Sequence, residues 1–142
     1  MKVSQKTEYA LRAMLELALR SSQNQAVRTA DIARNQRIPE KFLELILVEL
    51  RRAGLITSQR GPVGGHRLAR DPKDVSVGEI WRAIDGAVFE RPTPEFPKGS
   101  HDPLAVVWND VDKAVAGVVN RVTLADVRKF AEVGRGVPDY SI

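Results

Sequence analysis

Arg60 and Arg67 stand either side of Gly61-Pro62-Val63-Gly64-Gly65 and His66. Arginines at the edges of a glycine-rich run are suited to meeting phosphates. Glycine lets backbone N–H groups come close, and the guanidinium fork matches phosphate oxygens. No Lys-Ser/Thr pair follows the glycines, so a nucleotide-cradling loop of the P-loop type is excluded. The segments LITSQR (55–60) and HRLAR (66–70) flank the run. They predict a β-hairpin with the glycines at its tip. The bland alternative is an ordinary hairpin turn with solvated arginines.

Charge gives the hairpin a context. The 142-residue chain carries 22 Lys and Arg against 18 Asp and Glu, a net charge of +4. Residues 1–70 hold 13 basic and 6 acidic side chains, and residues 71–142 hold 9 and 12. A first half at +7 and a second at −3 predict a polyanion-binding module joined to something else. There are no cysteines. That removes disulfides, thiolate nucleophiles and cysteine-ligated clusters. The two histidines, His66 and His101, make a histidine metal site unexpected, so no metal or cofactor is assigned. His66 reads most simply as a wing residue and His101 as an exposed loop residue. No motif nominates a Ser-His-Asp set or a paired-carboxylate cleft, so an enzyme is the least favoured class. No apolar run approaches the ~20 residues of a membrane span. The stretch MKVSQKTEYALRAML lacks a signal peptide's uninterrupted apolar run and cleavage site. A cytoplasmic location is expected.

The elements that would hold the hairpin follow from periodicity. Tyr9, Ala10, Ala13, Met14, Leu17 and Ala18 recur at three and four, predicting a helix over 5–21. SSQNQ breaks it. Thr29 is expected to cap a short helix through about Gln36, with Asp31 in its first turn. Pro39 suits the first position of the next helix, and Phe42, Leu43, Ile46, Leu47 and Leu50 form its stripe. Arg51, Arg52 and Gly54 end it. Ser76 is expected to cap a helix running to about Ile84 and closed at Gly86. Pro92, Pro94, Pro97 and Pro103 mark a loop. A long helix over about 103–121 follows. Leu104, Trp108, Val111, Val115, Val118 and Val122 are spaced 4, 3, 4, 3, 4 along it, a heptad-like seam with its partner unspecified. Gly117 costs about 1 kcal/mol inside a helix, so a close approach is expected there. Thr123 begins a last helix to about Glu132, and the tail from Gly134 is expected to fray.

Helix, short helix, turn, helix, hairpin is the order of a winged helix-turn-helix. The fold class is therefore α+β and mostly helical. The helix over 39–53 would enter a DNA major groove, with its N-terminus leading. Thr29, Pro39, Glu40 and Lys41 would face the bases. Lys2, Lys6, Arg28, Arg60 and Arg67 would hold phosphates, with Gly61, Gly64 and Gly65 at the wing tip. Glu40, Glu44 and Glu49 offset Lys41, Arg51 and Arg52 on this helix. Its carboxylates either face away, or Glu40 accepts from a cytosine amino group. Trp81 and Trp108 would line an effector pocket or, more simply, pack in the core or a dimer interface.

KTEYALRAMLELA (6–18), PEKFLELILVELRRAGLITSQRGPVGGHRLAR (39–70), VSVGEIWRAIDG (75–86) and LAVVW…VTLADV (104–127) resemble the Rrf-two-type winged-helix regulators, the group of IscR, NsrR and CymR. The resemblance covers almost the whole chain and is most specific from Phe42 to Gly65. It implies a homodimeric transcription factor, probing a partly palindromic operator in double-stranded DNA, with the long helix paired across the two-fold. It places Tyr9 near the DNA backbone, although a core tyrosine fits as well. Cluster-binding members carry three cysteines in the loop before the long helix, where this chain has ERPTPEFPKGSHD (90–102). Glu8 matches a carboxylate ligand of some members but stands without thiolates. His101 lies four residues upstream of the family's histidine position, which is Ala105 here. A cluster-free member is implied, with an unidentified small-molecule or protein effector left open.

The expected organisation is a DNA-binding domain over 1–86, a proline-rich loop over 87–102 and a dimerisation and C-terminal helical part over 103–142. The expected function is a repressor. The competing class is a winged-helix module for protein–protein contact, against which the charge split and the arginine-flanked glycines count.

Overall fold

The computed structural model describes residues 2–91 and 94–134; Pro92 of the proline-rich loop and residues 135–142 of the expected frayed tail lie outside them. The described chain runs α1 (Gln5–Arg20), α2 (Thr29–Gln36), α3 (Glu40–Arg52), β1 (Ile56–Gln59), β2 (Gly65–Leu68), α4 (Val77–Asp85), α5 (Pro103–Val119) and α6 (Leu124–Gly134). Short 3-10 turns lie at Ser21–Gln23 and Pro72–Asp74. This is a mostly helical winged helix-turn-helix.

Ser4 starts α1 by accepting a hydrogen bond from the Thr7 N–H at 3.0 Å. Its hydroxyl also donates to both Asp85 oxygens at 2.9 Å, and the Thr7 hydroxyl donates to Asp85 at 2.7 Å. One carboxylate thus ties the start of α1 to the end of α4. Ala10, Ala13, Met14 and Leu17 of α1 pack with Ile32 of α2, with Leu43, Ile46 and Leu50 of α3, and with Ile80 of α4. Full burial of a Leu or Ile contributes about 1.5–3 kcal/mol. Glu16 is buried among them and accepts from Asn35 Nδ2 at 2.7 Å and Gln36 Nε2 at 3.0 Å. Those bonds lock the end of α2 onto α1.

Three local expectations give way. Arg28, not Thr29, precedes α2 as its cap residue, and it makes no side-chain cap bond. Its carbonyl accepts from the Asp31 and Ile32 N–H groups, while the Thr29 hydroxyl is drawn away to His66. Pro39 is the cap residue of α3 rather than its first helical residue, because its ψ of 127° is extended. Phe42 leaves the buried stripe at 46% exposure and meets Tyr9 edge to face, ring centroids 6.0 Å apart. The i, i+3, i+4 pattern admitted Phe42; the angular width of the α1 contact excludes it.

The wing is antiparallel, with Ile56 opposite Leu68 and Gln59 opposite Gly65. Val27 adds a short third edge. Its N–H donates to the His66 carbonyl at 2.9 Å, and the His66 N–H donates back at 2.8 Å.

The second half divides at α5. The last helix begins with a reciprocal cap: Thr123 N–H donates to Asp126 at 3.0 Å, and Asp126 N–H donates to the Thr123 hydroxyl at 3.2 Å. These bonds hold the exposed Asp126 carboxyl below the usual carboxylate range. The Val77 N–H donates to the Val122 carbonyl, and the Leu124 N–H to the Val75 carbonyl, both at 2.9 Å. Leu124 is buried in the same core as α1. So α6 returns to the first half, whereas α5 leaves it. The helix ends at Val119, two residues short of expectation, and Val122 lies beyond it in the connecting turn. Among the described residues nothing lies within 4 Å of a Cβ added at Gly117. The close approach is at Gly78 instead, where a Cβ would stand 2.4 Å from Asn120 Oδ1 and 3.1 Å from a Val119 methyl.

Candidate nucleic-acid interface

The start of α2, the first turns of α3 and the wing enclose a groove of about 450 Å³. Arg28, Thr29, Glu40, Arg60, Gly61, Gly64 and Gly65 line it. These are seven of the expected contact residues, drawn from three separate stretches of sequence. Ala30, Glu44, Gln59 and His66 line it as well and were missed. The signal for Glu44 was available: it lies four residues after Glu40, on the same helical face. His66 had no such signal, because only the fold brings Thr29 to it.

Fixed contacts shape the groove. Arg28 Nη2 donates to the Pro62 carbonyl, and a longer bond of 3.5 Å reaches the Gly61 carbonyl. Arg28 therefore holds the wing tip while staying exposed. Arg60 is exposed and joins no ion pair among the described residues. His66 Nε2 lies 2.8 Å from the Thr29 hydroxyl, and Nδ1 lies 2.7 Å from the Ser58 hydroxyl. Burial first, and the nearby Arg51 charge second, hold its ionisation below 6.5. The neutral ring is thereby favoured, and it serves as a strut between α2 and the wing.

The wing glycines separate by role. A Cβ at Gly64 would meet the Gln59 carbonyl oxygen at 2.3 Å, and one at Gly65 would meet the Val27 carbonyl oxygen at 2.6 Å. Gly65 also sits at φ +140°. Both are required by the hairpin and its third edge, whatever ligand approaches. Gly61 opens onto empty space and is the glycine free to meet one.

Other expected contacts lie elsewhere. Lys41 is exposed on α3, and Lys2 is exposed before α1. Lys6 Nζ is paired to Glu49 Oε1 at 2.6 Å, so much of its charge is already used. Tyr9 is partly buried against the core, and its hydroxyl accepts from Gln5 Nε2 at 3.0 Å. Arg67 does not reach the groove. It turns to a second cavity, where Nη1 donates to Asn24 Oδ1 at 3.3 Å. The carboxylates of α3 also part company. Glu49 faces α1, whereas Glu40 and Glu44 share the groove with two arginines.

An exposed helix N-terminus beside an arginine-bearing wing is the geometry of a sequence-reading winged helix-turn-helix, and the molecule is a DNA-binding transcriptional regulator. The chain belongs to the Rrf2 family, described as an iron-dependent transcriptional regulator, whose profile matches residues 3–129. It is 35% identical over 136 residues to the HTH-type transcriptional regulator IscR of Vibrio campbellii, covering 94% of this chain and 80% of that one. Among solved structures it is similar to T. potens IscR, with a TM-score of 0.81, 35% identity and coverage of 99% and 95%. It is also similar to CymR, the global cysteine regulator of B. subtilis, with a TM-score of 0.80, 29% identity and coverage of 92% and 98%. These relatives are regulators rather than enzymes. No helix among the described residues is long and apolar enough to cross a membrane.

The residues present do not fit the iron–sulfur cluster of cluster-binding relatives. The chain has no cysteine to supply thiolates. Glu8, at the position of a carboxylate ligand, is exposed and paired with Arg12 Nε at 2.9 Å. Among the described residues no group of three or more His, Asp or Glu converges as a metal site.

Proposed function

We propose that the chain acts as a cluster-free homodimeric repressor, seating two copies of the α2–α3–wing unit on a partly palindromic operator. The groove carries this reading. It combines exposed cations at its wing with an accessible helix N-terminus and two carboxylates on one helical face. Arg60, Arg28 and the Gly61 backbone would hold phosphates, with Lys2 and Lys41 at the margins. Glu40 and Glu44 would accept from cytosine amino groups, giving sequence preference at the expense of general phosphate affinity. Thr29 and Pro39 would set the entry of α2 and α3, with Gly64 and Gly65 shaping the wing. Lys6 and Tyr9 would act through α3, by way of Glu49 and Phe42, rather than on DNA.

Dimerisation has its own support. On α5, Leu104, Val106, Val107 and Val118 are at least half exposed, and Trp108 is 38% exposed. A surface helix of an isolated domain does not usually leave this much apolar surface in water. Asp112 Oδ1 on the same helix is buried without a partner among the described residues. We take Leu104, Trp108, Val111, Val115 and Val118 as the seam, with Val122 holding the turn that follows. Residues 1–86 then form the DNA-binding part, with α6 packed upon it, and α5 forms the dimerisation element. Two-fold pairing sets half-sites about one helical turn, or a multiple of it, apart.

The test is fluorescence anisotropy on DNA from upstream of the protein's own gene. It would be run at two salt concentrations with unrelated DNA as competitor. Tight, competitor-resistant, salt-sensitive binding by metal-free protein is expected, with placement over promoter elements in footprinting. Equal and weak binding to both DNAs at low salt would overturn the reading and favour a protein-interaction role.

A further inference from the structure

Behind the wing lies a polar cavity of about 390 Å³ that no α3 residue lines. Its walls come from the Ser21–Gln23 turn, β2, the Pro72–Asp74 turn and α6. Three arginines line it: Arg67, Arg70 and Arg128. Arg70 is neutralised by Glu79. Arg67 and Arg128 have no carboxylate partner among the described residues. Arg128 Nη1 is held by the Ala18 carbonyl at 3.3 Å and the Ser21 hydroxyl at 3.1 Å. Arg67 leans on Asn24 Oδ1, and its Nε is buried with no partner among the described residues. The acid in the wall, Asp71, already accepts from the Lys73 N–H at 3.0 Å. Asn24 sits at φ +49°, a left-handed conformation that Asn adopts more readily than most non-glycine residues.

Two incompletely satisfied guanidinium groups in one recess are costly unless an anion completes them. Their planar forks match carboxylate and phosphate oxygens, and Ser22 and Gln25 add neutral donors at the wall. The volume falls at the low end of small-molecule sites. We propose that this cavity binds a small polyanion, a di- or tricarboxylate or a phosphate, and that occupancy weakens DNA binding. The coupling runs through β2. Arg67 and its neighbour His66 both line the cavity from β2, while the His66 ring also lines the front groove and bonds Thr29. A bound anion cancels positive charge in the half that must approach phosphates. The coupling rests on the DNA-binding reading of the front groove; the binding does not.

The experiment separates them. Thermal unfolding and calorimetric titration of the DNA-free protein would use citrate and inorganic phosphate, each against sodium chloride at matched ionic strength. Saturable stabilisation by at least one polyanion is expected, with its affinity reduced about tenfold or more in Arg67→Gln and Arg128→Gln. Arg128 also supports α1, so Ser22→Asp provides a variant that removes no native bond and sets a repelling charge at the wall. It should keep the fold and lose the polyanion. Stabilisation that chloride reproduces, or that survives all three variants, overturns the site. If the free protein binds no polyanion and Arg128→Gln weakens DNA as much as Arg60→Ala, the cavity is a DNA-phosphate contact and the proposal fails. With the site established, citrate or phosphate should lower operator affinity several-fold in the wild type and not in Ser22→Asp. Binding without that change would overturn the regulatory half alone.

Discussion

The first eighty-six residues and α5 treat apolar surface in opposite ways. In the former, Leu43, Ile46 and Leu50 are fully buried, and the exposed large apolar side chains, Val3, Phe42, Leu45 and Val63, are spread over eighty-six residues. On α5 only Val119 is buried, while five large apolar side chains face outward. A helix of this composition gains little by folding onto its own chain at one end, near Gly78 and through the 2.7 Å Arg82–Asn120 bond. The contrast separates residues that pack into the protomer's core from residues that, on the proposed reading, would meet a second copy. The next helix, α6, joins the first region through Leu124, which is buried in its core, while Phe130 and Val133 stay exposed.

The sharpest way to break that contrast is to compare truncations. Leu50→Ala should cost about 3–4 kcal/mol of stability in urea unfolding, because the core around it cannot collapse. Leu104→Ala should cost the isolated protomer under about 0.5 kcal/mol, as expected for an exposed site. Equal losses would mean that α5 is integral to the protomer's core. Next in size, Val115→Glu should split the dimer in sedimentation and lower operator affinity about a hundredfold, by losing the second tethered half-site. An unchanged dimer would remove α5 from the interface.

Within the DNA-binding part the expected effects are smaller and differ in kind. Glu44→Ala should relax preference at one base pair by about 1–3 kcal/mol while leaving unrelated DNA bound as well or better. Arg60→Ala should weaken all sequences by about tenfold and reduce the salt slope by about one. A mutant with full affinity at every salt concentration would place the wing away from the backbone. The smallest effect is on pH. His66 ionises below 6.5 in the folded protein, so the unfolded chain takes the proton first. Stability should be full above about pH 6.5 and decline as the pH falls from there toward the lowered folded value. His66→Gln should flatten that part of the curve measured by thermal unfolding.

Much of the site was legible because its parts are local. The arginine-flanked glycines, the capping Ser76 and the cations before Gly54 each declare themselves within a few residues. Arg67 shows where that stops. Its spacing from Arg60 put both on the hairpin, yet a strand sends alternate side chains to opposite faces, and the pairing register decides which face meets the groove. Glu44 and Glu49 likewise share one helix, but Lys6 on α1 claims Glu49 and leaves Glu44 in the open.

The sequence alone determined the order and type of the elements, the charge asymmetry and the lack of thiolates, because these depend on residue type, short-range periodicity and backbone sterics. It also showed the heptad-like spacing of apolar residues along α5. Only the tertiary structure decided that Phe42 is exposed, that α6 rejoins the core, that His66 bridges α2 to the wing, and that Arg67 and Arg128 meet in one cavity. Those facts depend on contacts between residues 33 to more than 100 positions apart in the chain. No local pattern encodes them; they follow from which faces the packed helices leave open.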